Sequence, residues 1–389
     1  MTELPLRVAL VTMSLQQSGA EKQFVYLARA LRDAGAQVRV FHLIDDGYYL
    51  SALRDLGIPV ISVAAPSAWQ RFYRLVAAVR SFSPHIVQAN HFGTHFYAVV
   101  AARLCGALAL GAVRSSGTRD VAYHGWRGPV LLRLPDAFVV NSHPAATALQ
   151  NMGIPADRLA VVPNVIDFSD PLFSTPAVLP DSVPPNRVLA AAVGRLLPLK
   201  RVDVYLRALA IACRQTPELF GVVMGEGSEL ASLKKLAAEL DLLPHRVVFL
   251  GHRPDAVALL QRMSFLVLSS TAEGFPNVVQ EAMAQGLPVI ATPAGEAALL
   301  VRDMQNGLSV AFNDVNGMAA AMARLAGNPA LRASLGASAR AFVRAEYPLE
   351  VLGSRILNCY QQFIAGIGRP RLRGGPAALF APVMPLGAG

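Results

Sequence analysis

Short apolar runs alternate with amphipathic helical stretches from the first residues of this chain to about residue 291, with one interruption. Residues 6–13 (LRVALVTM) read as a buried strand, 20–34 as a helix stopped by Gly35, and 37–44 as a second strand. The pattern continues with strands at 58–63, 85–90, 109–114 and 137–141 and helices at 69–82, 94–105 and 143–152. Strands that are apolar on both faces and separated by helices belong in a parallel sheet with right-handed crossovers. At 169–186 (SDPLFSTPAVLPDSVPPN) five prolines break every period. The alternation then restarts, with strands at 188–193, 220–224, 246–250, 264–269 and 288–291 and helices at 200–214, 228–240 and 277–285. Residues 314–365 read as almost wholly helical. The fold expected is α/β: two Rossmann-like, doubly wound domains facing a central cleft. The boundaries expected are a first domain over 1–170, a Pro-rich linker over 171–186, a second domain over 187–346, a helix over 347–365 and a disordered Gly/Pro/Ala-rich tail over 366–389. Ligands in such sheets bind beyond the carboxyl ends of the strands, so the loops that follow strands are where function is sought.

Composition narrows the classes. In 389 residues, 53% hydrophobic, there is ample material for two cores, and three distant cysteines exclude a disulfide scaffold or a Cys-rich zinc module. The formal charge of +9 is spread thinly, and part of it is Arg369, Arg371 and Arg373 in the tail, so no nucleic-acid-binding patch is expected. The N-terminus lacks the pattern of a signal peptide. The longest apolar run, Phe96 to Val113, carries Arg103 at its middle and glycines at 106 and 111, and reads as a helix entering a strand rather than a membrane span. The expectation is a cytoplasmic protein. Residues 69–80 (WQRFYRLVAAVR) mix aromatics with Arg71, Arg74 and Arg80. They stand open to two readings: a helix that meets the inner membrane face peripherally, or one solvated face over an ordinary core stripe.

Three strand-end motifs could carry chemistry. Ser18-Gly19-Ala20-Glu21 opens a helix after the first strand, where a glycine lets backbone N–H groups approach a phosphate; it also reads as an ordinary strand-to-helix turn. It is not GxGxxG, which disfavours a dinucleotide oxidoreductase. After the strand 188–193 come Gly194, Arg195 and, five residues on, Lys200, one of only four lysines against 31 arginines. Arg195 can fork to two phosphate oxygens while Lys200 acts as a point charge. The third motif is Glu273-Gly274-Phe275-Pro276-Asn277-Val278-Val279-Gln280-Glu281. A loop carboxylate, a proline suited to a helix start, and a second carboxylate on the helix flank a set of unpaired N–H groups. One acid beside a helix N-terminus suits an activated phospho-sugar better than the carboxyl pair of a glycosidase. Gly225-Glu226-Gly227-Ser228-Glu229 is a weaker turn motif. His91 and His95, four apart after the fourth strand, lack a third ligand and suit sugar hydrogen bonding or helix-start packing better than a metal.

In order and spacing these motifs resemble the retaining glycosyltransferases of family 4, with the GT-B fold. The segments that carry the resemblance are SGAE, VVNS at 139–142, VPNVID at 162–167, VGRLLPLKRVD at 193–203, GEGSE, FLGHRPD at 249–255 and EGFPNVVQEAMAQGLPVIAT at 273–292. The resemblance implies a transferase that moves a sugar from a nucleotide-diphosphate sugar, UDP-sugar favoured and GDP-sugar as the alternative, to a hydroxyl of a glycan or lipid-linked glycan. It implies retention of anomeric configuration and no metal or other cofactor. By the same resemblance Arg195 and Lys200 neutralise the diphosphate, Glu273 binds the donor sugar and Glu281 the ribose. The backbone of Phe275, Pro276, Asn277 and Val278 contacts sugar and phosphate. Gly19 meets the phosphates across the cleft, His252 and Arg253 lie by the base, and His91 or His95 contacts the sugar. It also implies that the helix 347–365 returns to the first domain. Three departures stand out: Arg201 replaces the usual glycine after the lysine, Gln88-Ala89-Asn90 replaces HxH, and GEGS replaces GxGP. A nucleotide-sugar epimerase of the same fold and a non-catalytic binder are the rival functions.

Overall fold

A computed structural model describes residues 5–175 and 177–367. They form two compact units, one of residues up to Val165 together with the chain from Leu349 onward, the other Ile166–Pro348.

The first unit is built on seven parallel strands: β1 Arg7–Thr12, β2 Gln37–His42, β3 Val60–Ser62, β4 Ile86–Ala89, β5 Leu108–Val113, β6 Ala137–Val140 and β7 Leu159–Val161. Their order is β3-β2-β1-β4-β5-β6-β7, so the direction of winding reverses between β1 and β4. The connecting helices are α1 Gly19–Asp33, α2 Leu50–Asp55, α3 Ala68–Phe82, α4 His95–Cys105, α5 Thr118–Tyr123, α6 Gly128–Arg133 and α7 His143–Asn151. Strands β4, β5 and β6 are buried at every position, which is why they read as continuous apolar runs. The apolar stretch 96–113 is α4 followed by β5, with Gly106 in the left-handed region ending the helix. Among the described residues no helix is long and apolar enough to cross a membrane.

The second unit repeats the plan with six parallel strands: β8 Val188–Val193, β9 Leu219–Met224, β10 Val247–Phe249, β11 Phe265–Leu268, β12 Val289–Ala291 and β13 Gly307–Ser309, in the order β10-β9-β8-β11-β12-β13. Winding here reverses between β8 and β11. Its helices are α8 Val202–Gln215, α9 Leu230–Glu239, α10 Ala256–Leu260, α11 Asn277–Ala284, α12 Ala297–Leu300, α13 Val315–Gly327 and α14 Pro329–Glu346. A last helix, α15 Leu352–Ile367, belongs to the first unit. Ile356, Tyr360 and Phe363 of α15 join Phe24, Leu27 and Leu31 of α1 in one core, and the Tyr360 hydroxyl donates to Gln88 Oε1 on β4.

The proline-rich stretch expected as a linker over 171–186 is packed rather than free. Phe173, Ala177, Leu179 and Val183 sit against the core of the second unit, and Gln261 Nε2 donates to the carbonyls of Leu172 (3.2 Å) and Thr175 (3.3 Å). The chain passes from one unit to the other at Val165–Ile166 and back at Pro348–Leu349, which proline counting does not reveal. Residues 366 and 367 end α15, and the rest of the tail expected over 366–389 lies outside the described residues.

Candidate functional site

In the second unit the loop after β8 and the loop after β11 leave adjacent strands at the point where winding reverses, the usual place for a ligand in an open α/β sheet. They bring Lys200 and Glu273, which lie 73 residues apart in sequence, into one ion pair, Nζ to Oε1 at 2.6 Å. Ser270 Oγ donates to the same Oε1 at 2.6 Å. Glu273 Oε2 has no hydrogen-bond partner among the described residues and is left to accept from a ligand hydroxyl. Lys200 uses one of its three donors on Glu273, leaving two for oxygens of an anion. The loops are also stitched by backbone: Ser269 Oγ donates to Lys200 O (2.9 Å), and the Thr271 amide to Leu199 O (2.8 Å). Arg195 is exposed and forms no ion pair among the described residues. A small hollow opens here, lined by Gly194, Arg195, Lys200, Ser269 and Ser270 over the ends of β8 and β11.

The GEGSE turn acts through backbone. It follows β9 and lies flush against the Arg195 loop: Gly194 N donates to Met224 O (2.9 Å), Leu196 N to Glu226 O (2.7 Å) and Glu229 N to Leu196 O (3.0 Å). A Cβ on Gly225 would stand 1.9 Å from Gly194 O, and one on Gly227 2.2 Å from Leu196 O. Only glycine allows so close an approach, so the weak-looking GxG sets the position of the arginine loop.

Arg201, in place of the glycine usual in the resemblance, takes the left-handed conformation a glycine would (φ 48°, ψ 43°). Its cost of about 1 kcal/mol is offset by a fork to Asp203, Nε–Oδ1 and Nη2–Oδ2 both at 2.9 Å. That contact raises the arginine's pKa and holds the Asp203 carboxyl below the usual range. Asp203 therefore braces Arg201.

The helix motif lies where expected. Pro276 is the N-cap of α11 and offers no side-chain cap, and the first N–H groups of a helix lie beyond the reach of its own carbonyls. The Phe275 ring is buried edge-on to Tyr347 at 5.7 Å, leaving only its backbone to meet a ligand. Glu281 is half-buried on the following turn. His252 is exposed in the loop after β10, whereas Arg253 is forked onto its neighbour Asp255 at 2.8 and 2.7 Å. A contact of Arg253 with a base would compete with that fork.

The first unit has a counterpart that sequence reading did not connect. Glu21, in the first turn of α1, is buried and meets His91 Nε2, in the loop after β4, at 2.7 Å. Ser18 Oγ donates to the other carboxylate oxygen and also caps α1 through the Ala20 amide (3.3 Å). Burial alone would push the Glu21 carboxyl up, but His91 and Ser18 outweigh it and hold it below the usual range. Gly19 is the first residue of α1, beside this pair in sequence. The signal that could have joined SGAE to His91 is topological: each follows one of the two strands, β1 and β4, that flank the reversal of winding.

His95 is a core residue and is closed to a sugar. It has no exposure, and its Nε2 lies within reach of both the carbonyl (3.0 Å) and the amide (3.1 Å) of Ala112. Burial pushes its pKa down to about 4. Of the two candidate histidines only His91 keeps some exposure. Among the described residues no group of three His, Cys, Asp or Glu side chains is placed to hold a metal ion.

Two family models match the chain: Glycosyltransferase Family 4 over residues 17–170 and Glycosyl transferases group 1 over residues 181–342. The chain is 30% identical over 254 residues to the lipopolysaccharide core biosynthesis mannosyltransferase LpcC of Rhizobium leguminosarum, covering 63% of this chain and 69% of that one. It is also 30% identical over 180 residues to a GDP-mannose-dependent monoacylated alpha-(1-6)-phosphatidylinositol monomannoside mannosyltransferase of Corynebacterium glutamicum, a match that spans less than half of that protein (46%) and 44% of this one. Among solved structures, Anabaena Alr3699/HepE in complex with UDP-glucose superposes with a TM-score of 0.78 at 20% identity, over 91% of this chain and 99% of that one.

Proposed function

From the premise that this chain belongs to the family 4-type glycosyltransferases of GT-B fold, we propose that it is a retaining, metal-independent enzyme that moves a sugar from a nucleotide-diphosphate donor to a hydroxyl of a glycan or lipid-linked glycan acceptor. The observation that carries the reading is the Lys200–Glu273 pair at 2.6 Å, fixed by Ser270 beside an unpaired Arg195. Breaking a sugar–phosphate bond leaves negative charge on the departing diphosphate. Lys200, held in place by Glu273, together with Arg195 and the start of α11 stabilises that charge. Tied down through Oε1, Glu273 positions the donor by accepting hydroxyl hydrogen bonds on Oε2. Glu281, one turn into α11, takes the ribose hydroxyls. The backbone from Phe275 to Val278 meets the sugar and phosphate, and Gly19 and His91 serve the first unit's side of the reaction.

UDP-sugar is the favoured donor because the Anabaena neighbour was solved with UDP-glucose, and GDP-sugar is the alternative because the Corynebacterium relative uses GDP-mannose. A glycan acceptor in surface polysaccharide or glycolipid assembly follows the Rhizobium relative. The test is transfer itself: incubate UDP- and GDP-sugars with candidate acceptors, with and without EDTA, and assign the anomer of the product by NMR. The same anomeric configuration as the donor, formed at undiminished rate in EDTA, is expected. An inverted product or a rate that needs metal overturns the corresponding part. A new sugar epimer formed from donor alone would point to an epimerase instead.

A further inference from the structure

The stretch of sequence between Asp55 and Asp136 holds eight arginines and a single acid, Asp120. The same stretch holds both tryptophans of the chain, and both face solvent: Trp69 is 75% exposed and Trp126 80%. Tyr73 (71%) and Tyr123 (86%) stand out beside them. Burying an aromatic of this size is worth about 1.5–3 kcal/mol, so four left in water in one region form an unmet surface.

Topology puts these side chains on one edge. Helix α3 follows β3, α4 follows β4, and α5 follows β5, so the starts of all three lie at the carboxyl edge of the parallel sheet. Ring contacts run through the edge in two groups. Trp69 stacks on Phe72 (5.6 Å), which meets Phe96 of α4 (6.0 Å); Tyr123 meets His124 (5.4 Å), which meets Phe92 just ahead of α4 (5.3 Å). Exposed arginines are interleaved: Arg74 on α3, Arg119 on α5, and Arg127 over the Trp126 ring at 5.2 Å. The Glu21–His91 pair occupies the same sheet edge.

We infer that this edge of the first unit is a docking surface for an anionic lipid bilayer, with Trp69, Tyr73, Tyr123 and Trp126 set at the headgroup level and Arg74, Arg119 and Arg127 against the lipid charge. Tryptophan and tyrosine favour the boundary because one end of the ring is apolar and the other polar, and arginine snorkels to anionic headgroups. The near absence of acids over 80 residues of sequence is the complement of an anionic plane. The inference deepens the sugar-transfer reading by choosing its lipid-linked acceptor, and rests on that reading only for the acceptor.

Because Trp69 and Trp126 are all the tryptophan in the chain, its fluorescence reports this edge directly. The full chain is mixed with phosphatidylcholine vesicles, with and without phosphatidylglycerol, at low and high salt. Expected are a blue shift of emission and co-sedimentation with the anionic vesicles, both weakened by salt. Trp69→Phe and Trp126→Phe each leave one reporter, and both reporters shift. Arg74→Gln/Arg127→Gln lowers partitioning about 30-fold, from roughly 5-fold per arginine near an anionic surface. Unchanged emission with anionic vesicles overturns the inference. So does a blue shift that appears without vesicles as protein concentration rises, which assigns the edge to a second copy of the chain. UDP-induced thermal stabilisation, measured on the same samples, reports the donor site separately: its absence with vesicle binding intact counts against the sugar-transfer reading and leaves the surface standing.

Discussion

The two units place the same kind of object in the same topological position and make different chemistry of it. Each sets an acid–base pair between the loops of the two strands that flank its reversal of winding: Glu21–His91 at 2.7 Å between β1 and β4, and Lys200–Glu273 at 2.6 Å between β8 and β11. In the first unit the acid is on a helix, buried, and faces a histidine. In the second both partners are loop residues, the base is a lysine, and an exposed Arg195 with no ion pair among the described residues stands beside them. The first arrangement suits a hydroxyl that must give up a proton. The second suits a leaving diphosphate. A shared fold supplies the position, and the side chains decide its use.

Substitutions can break that contrast. Lys200→Ala and Glu273→Ala should each lower kcat/KM for sugar transfer by about a hundred- to a thousandfold, with circular dichroism unchanged. Glu21→Gln should leave UDP affinity untouched while slowing transfer. If it weakens UDP binding as much as Lys200→Ala does, the division of labour between the units fails. Next in size is acid sensitivity. His95 has a folded pKa of about 4 against an ordinary 6.5, so it binds its proton more readily when unfolded. Stability is full above pH 6.5 and falls as pH drops towards 4, by about 3 kcal/mol in all. Urea midpoints across that range should show the loss, and a variant such as His95→Gln should flatten it. Glu21, held below its ordinary value, adds a smaller loss at lower pH. Gly225→Ala should cost about 3 kcal/mol and weaken UDP binding as well, since the Gly194–Arg195 loop must move. The smallest effect is expected from Arg201→Gly: relief of the left-handed strain offsets the lost fork to Asp203, and the melting midpoint should move by less than the equivalent of about 1 kcal/mol.

Much of this was legible in the sequence because buried parallel strands leave long apolar runs. The central strands of both sheets and the helices between them follow that signal. The short strands β7 and β13 do not: three residues each, and in β7 half-buried throughout, carry too little pattern. The turn of helices between residues 118 and 133 was also silent, lacking a clean period. In the second unit the site could be read because Glu273, Pro276 and Glu281 sit within nine residues at a helix start. In the first it could not, because Glu21 and His91 meet only through strand order. Arg253 shows the converse limit: the family resemblance implies a place beside the base, and its fork to Asp255, two residues on, is invisible to motif matching.

The central claim is that Arg195, Lys200 and Glu273 form the nucleotide-diphosphate site. Its most direct test is thermal unfolding with UDP, GDP or ADP, on the unaltered protein and on Lys200→Ala. The account predicts that one of the three, UDP first, raises the melting midpoint by about 5 °C or more near saturation, and that most of this gain disappears in Lys200→Ala. No stabilisation by any nucleoside diphosphate, or an equal shift in both proteins, would contradict it.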